Sequence, residues 1–210
     1  MNDEDAPVDT PEPSELAAIE FESPGRFVVH NPEPLAPDSA QWEPAPFLLG
    51  THDRLERFNQ PQEARAHVLA LIQQAQRSLS LYSDDLEPWL YHHGSVQQAC
   101  TRFLLSSPRA RLRILVRDST RAVKEGHRLL NLSRRLSSNL HIRRLNPDYP
   151  SEELAYLIAD DRGLLLRPEL DQQAGYALYN DPARVRQRQA QFDQAWDTSI
   201  TDPDLRSFLL

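Results

Sequence analysis

Asp84, Asp85 and Asp118 stand where metal-assisted phosphate chemistry would need carboxylates. Asp84 and Asp85 follow the alternating run Ser78-Leu-Ser-Leu-Tyr82, and Asp118 ends a second strand-like run, ARLRILVRD. Open α/β sheets place ligand crevices beyond the carboxyl ends of their strands. If these strands are neighbours, the three carboxylates can hold Mg²⁺ and a phosphate substrate, with His127 nearby as a base. An Asp after a strand is also a common turn or helix-capping residue, so the same residues fit a purely structural role. His92-His93, beside Trp89 and Tyr91, suit a metal or a stacked ring, but adjacent His side chains rarely face one ion. Cys100, the only cysteine, falls on an apolar helical face and reads as core. A single cysteine excludes an intramolecular disulfide framework and a multi-thiolate metal centre built from this chain alone. No residue pattern asks for a cofactor.

The densest chemical signal is cationic. Between Arg102 and Arg144 lie twelve Arg or Lys against two acids, Asp118 and Glu125. Arg121, Lys124, Arg128 and Arg135 fall toward one side of a helix expected over residues 119–138, opposite its leucines. Such a stripe is a candidate anion-binding face for nucleic acid or another phosphate-bearing ligand, or simply a solvated helix surface. Aromatic residues, which single-strand binders use for stacking, are not interleaved with it.

Charge and proline usage set the domain plan. Nine of 17 prolines and eleven acidic residues fall within residues 1–48 against one base, Arg26, which leaves residues 49–210 close to neutral. Such a stretch cannot bury enough apolar surface to offset its ordering entropy, so 1–48 reads as a disordered acidic tail. Within it, Gly25-Arg-Phe-Val-Val-His30 is a β-prone patch. The tail opposes the basic segment in sign and is a candidate intramolecular competitor for anionic ligands. No apolar run approaches a membrane span, and the acidic N-terminus does not resemble a secretory signal, so a reducing cytoplasm is the expected compartment.

From Phe47 onward the elements that must position these residues can be read in order. Ala64, Val68, Leu71 and Ile72 recur at helical spacing after Pro61, and the strand at 78–82 follows. Ser95 with Gln98 forms a capping-box pattern before a helix bearing Val96, Ala99, Cys100 and Phe103. A strand over Leu112–Val116, the helix over 119–138 and a strand over Leu140–Leu145 come next. Leu154–Ala159 turns at Asp160-Asp161-Arg-Gly163 into Leu164–Arg167, followed by a strand at Gly175–Tyr179. Asp181-Pro182 starts the last helix, which buries Val185, Phe192 and Trp196. Alternating helices and strands with a late cluster of adjacent strands predict an α/β fold with a mixed sheet flanked by helices.

This order, with RLRILVRD, LAYLIAD, GLLLRP, GYALYN and the closing FDQAWDTS, resembles one half of the phospholipase D superfamily over roughly residues 60–200. The resemblance implies that catalysis belongs to a His-x-Lys-x(4)-Asp motif at the strand LAYLIAD. Here that window places Glu153 at the nucleophilic His and Ala155 at the phosphate-holding Lys, and only Asp160 survives. A carboxylate facing an anionic phosphodiester cannot replace an imidazole nucleophile. The resemblance therefore implies the fold and argues against the activity. It also implies pairing of halves, here as a homodimer through the face around Glu153 and Asp160. The expected function is a non-catalytic binding or regulatory module; the alternative is a metal-dependent phosphohydrolase or nuclease using Asp84, Asp85 and Asp118.

Overall fold

The structure is a computed structural model that describes residues 41–150 and 152–206. The β-prone patch at 25–30 and most of the acidic segment lie outside the described residues. The elements run β1 (Glu56–Phe58), α1 (Pro61–Gln74), β2 (Ser78–Ser83), α2 (Pro88–Tyr91), α3 (Gly94–Ser106) and β3 (Arg111–Val116). They continue through α4 (Thr120–Lys124), α5 (Arg128–Arg135), β4 (Leu140–Arg144), β5 (Ala155–Ala159), β6 (Gly163–Arg167), β7 (Gly175–Leu178), α6 (Pro182–Asp197) and α7 (Pro203–Arg206).

Seven strands form one mixed sheet in the order β1-β7-β6-β5-β2-β3-β4. β2, β3 and β4 are parallel, because β2 and β3 are each followed by a helical crossover long enough to return the chain to the same end. β5, β6 and β7 follow one another without helices and pair antiparallel, with β1 closing that edge. The mixed α/β sheet read from the order of elements is thus the fold observed.

Helices cover both faces, which explains why β5 and β6 are nearly continuous apolar runs. On one face, Leu79, Leu81, Ile114, Val116, Leu157 and Leu165 pack with Val68 and Leu71 of α1, Val96 and Phe103 of α3, and Leu129 and Leu132 of α5. On the other, α6 sets Val185, Phe192 and Trp196 against Tyr82, Leu115, Tyr156, Ile158, Leu164 and Leu166. Asp181 caps α6 by accepting the Arg184 N–H at 2.9 Å, with Pro182 in the first turn.

Three local readings change. The helix expected over 119–138 is two short helices, because Gly126 turns left-handed at φ +61° and His127 caps α5 through Nδ1, accepting the Leu129 N–H at 3.2 Å. α3 is capped by His93, whose Nδ1 accepts the Ser95 N–H, while the Ser95 hydroxyl accepts the Trp42 N–H at 3.1 Å instead of forming a capping box with Gln98. The packed domain also extends upstream of Leu49. Trp42 stacks on His93 with centroids 3.9 Å apart, and the Gln74 side chain ties down both the Leu49 N–H and the Phe47 carbonyl. Among the described residues no helix is long and apolar enough to cross a membrane.

Candidate functional site

The parallel register sets Ser83 beside Val116, so the carboxyl ends of β2 and β3 bring the backbones of Asp84, Asp85 and Asp118 together. The Asp118 N–H donates to the Asp84 carbonyl at 2.9 Å. Their side chains turn to separate partners. Asp84 pairs with Arg117 at 3.1 Å, Asp85 with Arg121 at 3.0 Å, and Asp118 accepts the Thr120 N–H at 2.9 Å. Hydrogen bonds from Thr120, with a smaller contribution from Arg144, hold the Asp118 carboxyl below the usual range. Among the described residues no three His, Cys, Asp or Glu side chains are grouped to hold a metal ion. His127 is fully buried, and desolvation, helped by neighbouring His92, pushes its imidazole down to about 3. It serves as a neutral capping group rather than a solvent-reaching base.

Glu153 is exposed just before β5, Ala155 is buried at the first position of that strand, and Asp160 follows its last residue. Glu153 and Asp160 therefore stand at opposite ends of β5. Asp160 is a structural residue. Its carboxylate accepts the N–H groups of Gln76, Arg77 and Ser78 at 2.9, 2.7 and 2.9 Å, locking the β5–β6 turn to the start of β2.

Beside Ala155 lies the feature that sequence reasoning missed. Arg167, its partner on β6, is 1% exposed and forms an ion pair with Glu87, itself 5% exposed. Arg167 also donates to the carbonyls of Leu170 and Gln172, and its guanidinium lies 5.0 Å from the Trp89 ring. The Glu87 carboxylate accepts the Ser83 hydroxyl, while its N–H donates to Asp85. Leu86 and Glu87 hold φ +65° and +36°, a strained pair of left-handed non-glycine residues. The one sequence signal is an Arg in phase with the inward-facing Leu165.

The expected cationic stripe divides. Arg121 is neutralised by Asp85 and Glu125, and half-buried Arg128 reaches Gln97 at 3.5 Å. Lys124 and Arg135 are exposed on different helices. A separate basic feature runs along the edge strand β4: a groove of about 500 Å³ lined by Ser133, Arg134 and Ser137 of α5 and the segment after it, His141, Ile142 and Arg143 of β4, and Thr201 and Leu205. None of its lining residues is acidic. Burial, then Arg143 and Arg111, hold His141 below its ordinary value, so its imidazole is neutral at pH 7 and the arginines carry the charge there. Arg143 lies 4.6 Å over Trp196, which fixes it against α6.

Among solved structures, TrmBL2, an archaeal chromatin protein whose structure shows a novel mode of DNA binding, matches at 12% identity with TM-score 0.53. The match covers 71% of this chain and 54% of that one, so this chain spans about half the length of that protein. NucT from Helicobacter pylori matches at 10% identity with TM-score 0.51, covering 71% of this chain and 99% of that one. Nuc from Salmonella typhimurium, a phospholipase D family member, matches at 12% identity with TM-score 0.48, over 70% of this chain and 95% of its own. No curated protein sequence matches. The mixed α/β fold expected from the order of elements is one this chain shares with TrmBL2 and NucT. A family model matches residues 60–208, from the start of α1 through α7, and the chain belongs to that family, the domain of unknown function DUF7931.

Proposed function

We propose that this chain is a non-catalytic phospholipase D-like module that binds the phosphate backbone of a nucleic acid in the groove along β4. The observation that carries the reading is a groove along the edge strand β4 that presents Arg143 and has no acidic residue in its lining. Counterion release makes such a cationic track favourable for a polyanion and indifferent to base sequence. The DNA binding described for TrmBL2, on a similar fold, supports the same reading. The residues beside β5 support the non-catalytic reading. Ala155 has no amine to hold a phosphate, Glu153 repels one, and the neighbouring space holds the buried Arg167–Glu87 pair. The metal-dependent alternative loses its support because Asp84 and Asp85 are each engaged by an arginine.

The test is fluorescence anisotropy of labelled single-stranded DNA, duplex DNA and RNA against the full chain across a salt series. Binding is expected to weaken steeply with salt. Arg134→Gln and Arg143→Gln should each reduce the slope of log K against log salt by about one. An affinity unchanged in both variants, or no binding by the folded chain, overturns the proposal.

A further inference from the structure

A second cavity, of about 600 Å³, lies between α6 and the amino ends of β2 and β3. It is far along the strands from Glu87 and Arg167, and its volume is typical of small-molecule sites. One wall is a continuous face of α6 that includes Val185, Arg186, Gln189 and Asp193, at helical spacing. The opposite wall holds Arg77, Ser78 and Arg113.

The charges in this cavity sort into those already used and those still available. Asp160 is saturated by three backbone N–H groups. Asp161 lies 3.6 Å from Arg162, and Asp193 pairs with Arg113 at 2.8 Å while also accepting from Gln189. Arg113 is further held over the rings of Phe192 and Trp196. Arg77 and Arg186 remain. Both are exposed, they approach the cavity from opposite walls, and no ion pair joins either to a carboxylate among the described residues. Val185 and Ala190 add apolar surface between them.

We infer that this cavity binds a small phosphate monoester, with Arg77 and Arg186 clamping the dianionic phosphate from two sides. Guanidinium groups match phosphate oxygens in both charge and fork geometry, and the apolar surface accommodates an organic body. The inference is independent of the β4 groove, which shares none of these residues.

The experiment is titration calorimetry of the full chain with adenosine monophosphate and, separately, inorganic phosphate. Saturable binding is expected at low millimolar concentration or below. Arg77→Gln and Arg186→Gln should each weaken it about tenfold, the loss of one charge-assisted contact. Arg186→Lys, which keeps the charge, should lose less, and Arg134→Gln in the β4 groove should leave binding unchanged. Tighter binding of the nucleotide than of phosphate assigns the organic body to the Val185–Ala190 surface; equal binding assigns the site to phosphate itself. Both positions are exposed, so the variants are expected to fold, and thermal melts check this. No saturable heat with either probe, or an equal loss in Arg134→Gln, overturns the inference.

Discussion

Ala155 and Arg167 face each other directly across the β5–β6 ladder. A positive group thus stands at this end of the sheet one strand over from Ala155, and a glutamate from the β2–α2 turn neutralises it. Both members of that pair are nearly free of solvent, and burial depresses the Arg167 guanidinium from its ordinary value. Removing one partner of such a pair leaves an uncompensated buried charge, at a cost of about 3–5 kcal/mol. Glu87→Ala should therefore lower stability by that amount in urea denaturation. The double substitution Glu87→Leu with Arg167→Met should regain most of it, because two apolar groups replace two desolvated charges. A single variant as stable as the wild type would show that the pair is not held in the folded chain.

The same pair predicts that substitutions at Glu153 and Ala155 alone do not create phosphodiesterase activity. Glu153→His with Ala155→Lys supplies the missing imidazole and amine, but places the new ammonium beside the Arg167 guanidinium, with Glu87 already engaged. Like charges side by side in a buried site disfavour ionisation of the lysine. The double variant should show no turnover of bis(p-nitrophenyl) phosphate above the wild-type chain. Measurable turnover would mean that the buried pair leaves room for substrate.

Much of the fold was legible because its signals are local. The apolar runs of β5 and β6, the Asp181-Pro182 start of α6 and the 3.6-residue spacing of α1 each carry their meaning within a short window. The break between α4 and α5 was missed because Val123 and the leucines from Leu129 onward read as one apolar face, although Gly126 is the residue that permits the turn. The Glu87–Arg167 pair was missed for a different reason. Its members are eighty positions apart, and only the antiparallel return of β5 and β6 brings them together. The placement of the cationic stripe was hidden on both counts, since the helix is interrupted and Asp85, from a distant turn, takes up Arg121.

Asp160 has a local role that can be tested by itself. Three N–H groups at the start of β2 depend on its two oxygens. Asp160→Ala removes both acceptor oxygens and with them all three hydrogen bonds, and should cost about 1–3 kcal/mol in a chemical melt. Asp160→Asn keeps one carbonyl oxygen and tolerates the left-handed backbone at φ +53°, so its loss should be smaller. Equal losses in the two variants would contradict the acceptor role.

His127 makes acid stability a quantitative test of the core. Its folded value is about 3 against an ordinary 6.5, set first by burial and then by His92. As the pH falls through 6.5 the unfolded chain takes up a proton at this residue, and the folded chain does not until the pH nears 3. The unfolded state therefore binds more protons throughout that window, and stability falls with falling pH by up to about 1.4 kcal/mol per unit from this residue. His67, also lowered mainly by burial, contributes in the same direction, partly offset by Glu56 and Glu63. His127→Asn keeps a side-chain acceptor for the Leu129 N–H and removes the titration. Unfolding free energies of the two proteins, measured by denaturant melts between about pH 6.5 and pH 4.5, should diverge in slope by about 1.4 kcal/mol per unit, with the variant less pH-dependent. Parallel slopes would place His127 in contact with water and remove it from the core.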